Sequence, residues 1–304
     1  MIKQKIKDLA FAYVLAILTV AMTMSIAQAQ SIEESANAEE STSNLMLVRT
    51  HAGVEYVGEI LSIDAREVLL RNEAGEEIII PRHEVNVIES IDPKAMINGN
   101  YVGEDAFATR YFYSTNGLSM RKGQHYASLN YYGPEVHFAL SDHLSVGLMS
   151  TWIAAPVVAS AKLSIPVTDK FHLGVGALGG SLSWLKADAM GALGYGTATF
   201  GDRQRNLSVS AGVAGINNPF ETGTSTSGLL SIAGMSKIGR RSSIVFDSFF
   251  LLGQETPVSI LIPGLRVSTR DQKGAFQFGL GMAIIDGADN TIPFPMATYF
   301  INLR

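Results

Sequence analysis

The stretch Phe171-His172-Leu173-Gly174-Val175-Gly176-Ala177 alternates between apolar residues at odd positions and polar residues or glycine at even positions. The same alternation recurs in segments 159–165, 207–213 and 276–282. A period of two places successive side chains on opposite faces of a β-strand. These segments therefore predict strands that have one apolar face and one face of small or polar side chains.

The composition favours an all-β fold. The chain has 29 glycines, is 47% hydrophobic and only 17% charged. Glycine costs about 1 kcal/mol per helical position relative to alanine, which disfavours long helices. The absence of cysteine excludes disulfides and a thiolate nucleophile. A formal net charge of −5 gives no indication of a nucleic-acid partner.

Two architectures use this alternation. A soluble sandwich or barrel buries its apolar face and covers the outside with charged side chains, whereas a membrane barrel turns its apolar face to lipid. Here the second face is mostly glycine and serine, which favours the membrane barrel. A soluble secreted β-protein is the alternative. Over about residues 105–304 the chain resembles the bacterial outer-membrane β-barrel class.

The connections between the alternating segments follow the same class. Short charged turns such as 141–143 and 168–170 alternate with longer segments such as 215–227, and short turns of such barrels lie in the periplasm. We predict a transmembrane up-and-down antiparallel β-barrel of about twelve strands, with ten to fourteen allowed. In this assignment the first strand is 107–115, and 124–140 is one long strand kinked at Gly133-Pro134.

The resemblance implies localisation in the cell outer membrane, with outer-membrane lipid and the barrel-assembly machinery as partners. One feature departs from the class. Such barrels commonly end in an aromatic residue that the assembly machinery reads, whereas this chain ends Asn302-Leu303-Arg304.

The N-terminus predicts export. Lys3, Lys5 and Lys7 precede an apolar run that ends in Ala27-Gln28-Ala29, so residues 1–29 are expected to be a cleaved signal peptide. An uncleaved membrane anchor is the alternative. Residues 30–44 are acidic, small and polar, and are expected to form a disordered linker.

Residues 45–91 predict a separate small domain. About five short strands are parted by turn residues, in the order G-x-x-x-x-G-x-I-x-x-x-D (53–64), a strand, a glycine turn and I-x-I-P (78–81). This order resembles an SH3-like or Sm-like β-barrel. The resemblance implies the fold, but acidic turns and export argue against RNA binding. We expect a periplasmic adaptor or packing module, followed by a linker over 92–104 and the barrel over 105–304.

Motifs for cofactors and metals are weak. Residues 174–179 spell G-x-G-x-x-G, but the alternation continues through them and no helix follows, as a dinucleotide site would require. The six histidines show no metal-ligand spacing. No cofactor is predicted.

On the predicted register, several charged or polar side chains face the barrel lumen. They are Glu135, His137, Lys162, His172 and Arg266. Interior charges tune solute selectivity, or pair with one another and fill the interior. Asp247 is ambiguous, because apolar pairs around it break the alternation. No catalytic constellation is visible, so the sequence predicts that the chain is not an enzyme.

Three functions remain open. The leading hypothesis is a non-enzymatic outer-membrane barrel that passes or binds small solutes, because about twelve strands lie between a filled interior and an open channel. The second is a barrel that anchors residues 45–91 for docking to a periplasmic partner. The third is an outer-membrane hydrolase that depends on His137 or His172.

Overall fold

A computed structural model describes residues 45–72, 74–91, 96–97, 100–181, 189–217, 224–253, 258–269, 273–285 and 291–303. The predicted signal peptide and acidic linker lie outside the described residues and stay predictions. Within the described part of the chain, no helix is long and apolar enough to cross a membrane.

The N-terminal part forms a five-stranded antiparallel sheet. Its strands are β1 (Leu45–Thr50), β2 (Glu55–Ile63), β3 (Glu67–Arg71), β4 (Glu77–Pro81) and β5 (Val85–Ser90), with a 3-10 turn at Arg82–Glu84 before β5. The strand order is β4-β3-β2-β1-β5, around a core that includes Val48, Leu70 and Ile80. Five strands were predicted here; the SH3-like or Sm-like resemblance and the domain boundaries stay predictions.

Two short strands, β6 (Met96–Ile97) and β7 (Asn100–Tyr101), form a small ribbon before the barrel. Twelve further strands close into one antiparallel barrel. They are β8 (His125–Asn130), β9 (Gly133–Ala139), β10 (Leu144–Ser150), β11 (Val157–Thr168), β12 (Phe171–Ser181), β13 (Met190–Gly201), β14 (Arg205–Asn217), β15 (Thr224–Lys237), β16 (Ser242–Leu252), β17 (Val258–Ser268), β18 (Gly274–Ile285) and β19 (Ile292–Leu303). Each strand pairs with the next in sequence, and β19 pairs with β8. The predicted all-β fold and strand number are confirmed.

The outer surface of the barrel is apolar. Val175, Val213 and Leu280 are more than half exposed, whereas Ser208 and Thr199, which face the interior, are buried. Closure pairs the backbone groups of the wall, and an apolar exterior suits lipid rather than water. The fold is that of a transmembrane barrel.

The two ends of the barrel differ. At one end, here called the turn end, the connections are 140–143, 169–170, 202–204, 238–241 and 269–273, and both termini of the wall, His125 and Leu303, lie there. At the opposite loop end the connections are 131–132, 151–156, 182–189, 218–223, 253–257 and 286–291. That the short turns face the periplasm stays a prediction.

The predicted number of strands was right, but two strand assignments were wrong. One counted a segment that is not a wall strand and the other merged two strands into one, so the total did not change. Segment 124–140 is two strands, β8 and β9, joined by a turn at Tyr131-Tyr132 rather than one kinked strand. Segment 107–115 is not part of the wall. Its aromatic side chains Phe107, Tyr111 and Phe112 are buried inside the barrel rather than turned to lipid.

Residues 102–124, here called the plug, run inside the barrel. Phe107, Tyr111 and Phe112 are at most 2% exposed. The plug enters from the turn end, where the Asp105 N–H donates a hydrogen bond of 3.1 Å to the carbonyl of Arg203 in turn 202–204. It therefore fills the part of the lumen next to the turn end.

Arg266 on β17 holds the plug. Its guanidinium is fully buried and pairs with the carboxylate of Asp105 at 3.2 Å. It also donates to the carbonyls of Phe107, at 2.8 Å, and of Arg110. An arginine fork can satisfy several acceptors at once, so this one side chain fixes three points of the plug.

Asp247 on β16 holds the plug at a second point. Its carboxylate accepts hydrogen bonds from the backbone N–H groups of Phe112 (3.2 Å), Tyr113 (2.8 Å) and Ser114 (2.9 Å), and from the Ser114 hydroxyl (2.6 Å). A buried carboxylate is stable when such donors replace its water. The residue whose register was ambiguous in the sequence is thus a lumen anchor.

The ring of Phe112 fits against two glycines. Gly264 and Gly279 face each other on β17 and β18, and a Cβ at either position would lie 2.5 or 2.6 Å from the tip of the Phe112 ring. The wall is therefore shaped to accept this side chain.

The seam between β19 and β8 is short. Six residue pairs join Thr298–Leu303 to His125–Asn130, whereas thirteen pairs join β14 to β15. The first half of β19 extends past the end of β8 and contains Pro293 and Pro295. Proline lacks an N–H donor and is tolerated where a strand has an unpaired edge.

Candidate functional site

A cavity of about 350 Å³ lies in the lumen between the plug and the loop end. The plug supplies its floor with Thr109, Arg110 and residues 113–115, and strands β8 to β16 supply its walls. Ligand pockets in proteins have volumes of about 300–1,000 Å³, so this space suits a small molecule.

Glu135 on β9 is the centre of a hydrogen-bond cluster in this pocket. It is 1% exposed and pairs with Arg110 of the plug at 2.7 Å. The amide of Asn130 donates to it at 3.1 Å, and the hydroxyl of Tyr132 also donates to it. These donors compensate the burial of the carboxylate and hold it in one orientation.

His137 lies two residues after Glu135 on the same lumen-facing side of β9. Its Nε2 atom is 3.3 Å from a Glu135 oxygen, and its ring stacks on Tyr126 with centroids 4.8 Å apart. The hydrogen bond to a carboxylate favours a proton on Nε2 and leaves Nδ1 as an acceptor. That tautomer follows from the hydrogen-bond partner.

Ser160 lies next to His137 across one glycine. Gly147 on β10 pairs with His137 on one side and with Ser160 on the other. A Cβ on Gly147 would be 2.5 Å from His137 Nδ1 and 2.7 Å from Ser160 Oγ. The distance between His137 Nδ1 and Ser160 Oγ therefore cannot exceed the sum of 2.5 and 2.7 Å. A separation in this range allows direct contact or a bridge through one water molecule.

Lys162, two residues after Ser160, joins the pocket to the plug. Its ammonium donates to the carbonyls of Asn116 and Leu118 at 2.9 and 3.0 Å and to the Thr115 hydroxyl at 3.2 Å. These three contacts use all three N–H donors of the ammonium, so Lys162 fastens the pocket wall to the plug.

The rest of the pocket is largely apolar. Leu178, Leu193 and Leu229 line its walls toward the loop end, and Phe249 packs edge-on against Tyr113 of the plug. The pocket therefore has a charged floor and an apolar upper part, a combination that matches a molecule with one polar and one apolar end.

The five predicted lumen residues do not form one site. Glu135, His137 and Lys162 line the pocket, whereas Arg266 lies below it against the plug. His172 is close to the plug at Gly117, with its Nε2 atom buried without a hydrogen-bond partner, and is not among the residues that line the pocket.

Two members of the site were missed in the sequence. Arg110 was placed in a wall strand, and Ser160 was one of many serines with no distinguishing motif. Ser160 is distinguished only by the register of β9, β10 and β11, which places Gly147 between Ser160 and His137. Among the residues that the structure describes, no group of three or more acidic or histidine side chains is placed to hold a metal ion.

A closed barrel with an apolar exterior and a plugged, partly charged lumen defines the chain as a transmembrane β-barrel protein. No protein-family model matches the chain, and no curated protein does. Solved structures of OmpT, an outer membrane protein of Vibrio cholerae, are similar to it. A loop L8 deletion mutant aligns at 9% identity and a TM-score of 0.39, over 84% of this chain and 96% of the other. The in-vitro folded trimer form aligns at 8% identity and a TM-score of 0.32, over 85% and 95%. Similarity at this level carries no information on activity.

The prediction that the chain is not an enzyme is wrong. It assumed that no group of catalytic residue types comes together, but Glu135 contacts His137, and both line one pocket together with Ser160. This grouping does not support the prediction.

Proposed function

We propose that the protein resides in the outer membrane and binds a small amphipathic molecule that enters its lumen from the loop end. The observation that carries this proposal is the cavity of about 350 Å³ above the plug. Its floor contains Arg110, whose guanidinium has five N–H donors and can hold a polar or anionic group, and its leucines can cover an apolar chain.

The plug favours binding over passage. Arg266 and Asp247 fix it to two neighbouring strands through charge-assisted hydrogen bonds. Such bonds are stronger than neutral ones, so the plug should stay in place while a ligand binds. A pore would require these contacts to break for each passage.

The binding proposal can be tested with dansyl-undecanoic acid, whose fluorescence rises in an apolar pocket. Ser210 faces the lumen in the pocket, where its hydroxyl bonds Thr197 at 2.9 Å. Ser210→Phe should fill the space and weaken binding by at least about tenfold. The phenylalanine ring would prevent burial of part of the ligand's apolar surface, and the binding free energy lost should exceed about 1.4 kcal/mol.

Val209→Phe is the matched control, since Val209 is 41% exposed on the outer face one residue away. It should leave the dissociation constant unchanged. Equal affinity of both variants and the unmodified protein for the probe would contradict a lumenal site.

A second candidate function is presentation of the N-terminal sheet to a periplasmic partner. Ile79, Ile63 and Leu61 are 60%, 51% and 36% exposed, which leaves apolar side chains on that sheet open to contact. Deletion of residues 45–91 should then abolish a cellular phenotype while the barrel still inserts. A phenotype that survives the deletion would rule this function out.

A further inference from the structure

We propose that Ser160, His137 and Glu135 form a catalytic triad that hydrolyses a carboxylic ester of an amphipathic molecule in the lumenal pocket. This inference rests on the proposed binding function and adds a reaction to it. Its substrate class is an acyl ester, with the acyl chain in the apolar upper part of the pocket.

The spatial order of the three side chains is that of a serine hydrolase. A carboxylate orients a histidine, and the free nitrogen of that histidine faces a hydroxyl. Here Glu135 holds His137 through Nε2, and His137 Nδ1 faces Ser160 Oγ across Gly147. In the proposed reaction the distance from Nδ1 to Oγ closes to that of a hydrogen bond, as often happens only when substrate is bound.

The position of Gly147 is the decisive feature. Any side chain there would occupy the space between the base and the nucleophile, because its Cβ would lie within 2.7 Å of both. Glycine weakens a strand and leaves an unfilled position in it. Its presence between these two residues makes their approach possible.

The reaction balances without a cofactor. His137 Nδ1 takes the hydroxyl proton as Ser160 Oγ attacks the ester carbonyl carbon, and the resulting imidazolium is stabilised by Glu135. The C–O bond to the leaving group then breaks, and His137 gives that proton to the departing alcohol. Water attacks the acyl-serine in the same way and releases the carboxylic acid, so the net reaction is ester plus water to acid plus alcohol.

The charge of the pocket suits this chemistry. The tetrahedral intermediate carries a negative oxygen, and Arg110 lies in the floor of the same pocket. Its guanidinium pairs with Glu135 and has five N–H donors, so it can also donate to this oxyanion. Fixed positive charge in a site shielded from water stabilises such an oxyanion more strongly than it would in water.

The test uses the purified full-length barrel in detergent, with heat-modifiability on SDS gels to verify folding. We expect hydrolysis of para-nitrophenyl decanoate, and covalent labelling of Ser160 by a fluorophosphonate, located by mass spectrometry. Ser160→Ala should abolish both. His137→Gln should lower both rates by about 10²–10⁴-fold, the usual contribution of a general base.

Ser164→Ala is the matched control, because Ser164 lies on the same strand and face but its hydroxyl bonds the plug carbonyl of Leu118 at 3.3 Å. It should retain the full rate. Labelling at another serine, or equal hydrolysis by the Ser160→Ala and Ser164→Ala variants, would overturn the triad.

Binding of dansyl-undecanoic acid separates the two proposals, since this probe has no ester. A barrel that binds the probe but neither hydrolyses para-nitrophenyl decanoate nor labels Ser160 would overturn the triad alone. A barrel that does not bind the probe and does not hydrolyse the ester would overturn both. Retained binding by Ser160→Ala, with hydrolysis lost, would support both.

Discussion

Replacing Arg266 with leucine is expected to release the plug from the barrel wall. The guanidinium pairs with Asp105, and water cannot solvate either charge because both side chains are fully buried. Removing one partner of a buried ion pair costs about 3–5 kcal/mol, because the other charge is left uncompensated. At about 1.4 kcal/mol per factor of ten, the equilibrium for plug release should rise roughly 100- to 5,000-fold.

Cysteine labelling can measure this change, because the chain has no cysteine of its own. Ala108 in the plug is fully buried, so a single Ala108→Cys should react with a maleimide only when the plug leaves. We expect Arg266→Leu to raise the labelling rate by the factor given above, in barrels that still show the folded form on SDS gels.

Arg121→Leu provides the control for that experiment. Arg121 also belongs to the plug and pairs with Glu104 at 2.8 Å, but the two side chains are 64% and 48% exposed. An exposed ion pair is worth about 0–1 kcal/mol, so labelling should rise no more than about fivefold. If the two arginine variants label at the same rate, burial of Arg266 is not what holds the plug.

Two further predictions concern the plug and the N-terminal sheet. Phe112→Ala should lower the free energy of unfolding by about 3–5 kcal/mol, the usual cost of removing a buried phenylalanine, and an unchanged urea midpoint would contradict its role. The backbone N–H groups of Arg66 and Glu67 donate to Asp64 and lower the pKa of its carboxyl below the usual value. Because the folded pKa is the lower one, the stabilisation of this turn is complete above the unfolded pKa and is lost as the pH falls through the folded pKa. A carboxyl NMR titration should give a midpoint below the usual value for aspartate, and a midpoint at or above it would refute this account.

The wall of the barrel could be predicted from the sequence because lipid imposes a regular requirement on it. Strands β11 to β14 alternate between outward apolar residues such as Val175 and Val213 and inward residues that are mostly glycine, serine or threonine. Every second side chain is therefore constrained, and the pattern is visible without a structure.

The plug could not be predicted in the same way, because burial in the lumen and contact with lipid both select apolar residues. The run Tyr111-Phe112-Tyr113 satisfies the composition of a strand, but three aromatic residues in succession cannot all lie on one face. That break in the period was the available signal. The turn at Tyr131-Tyr132 is hard to predict for a related reason, since the Gly133-Pro134 that follows it is equally compatible with a kink in one continuous strand.

The pocket was partly visible in the sequence. Glu135 and His137 share a strand and a parity, so their common face follows from the period of two alone. Ser160 belongs to a different strand, and its position next to His137 depends on the register across Gly147. Register between strands depends on turn lengths and shear, which one sequence does not reveal.

The short seam between β8 and β19 has a consequence for assembly. Asn130 and Thr298, which pair across this seam, are 168 positions apart in the sequence. Every other strand pair of the wall joins two strands that follow one another in the chain. Contacts so distant in sequence form late, because the chain between them must first be ordered. Since the plug directly precedes β8, the last strand pairing would enclose it, and the sheet formed earlier by β16 and β17 already presents Asp247 and Arg266. We therefore expect the plug to dock on an open sheet before the cylinder shuts, rather than to thread into a finished one.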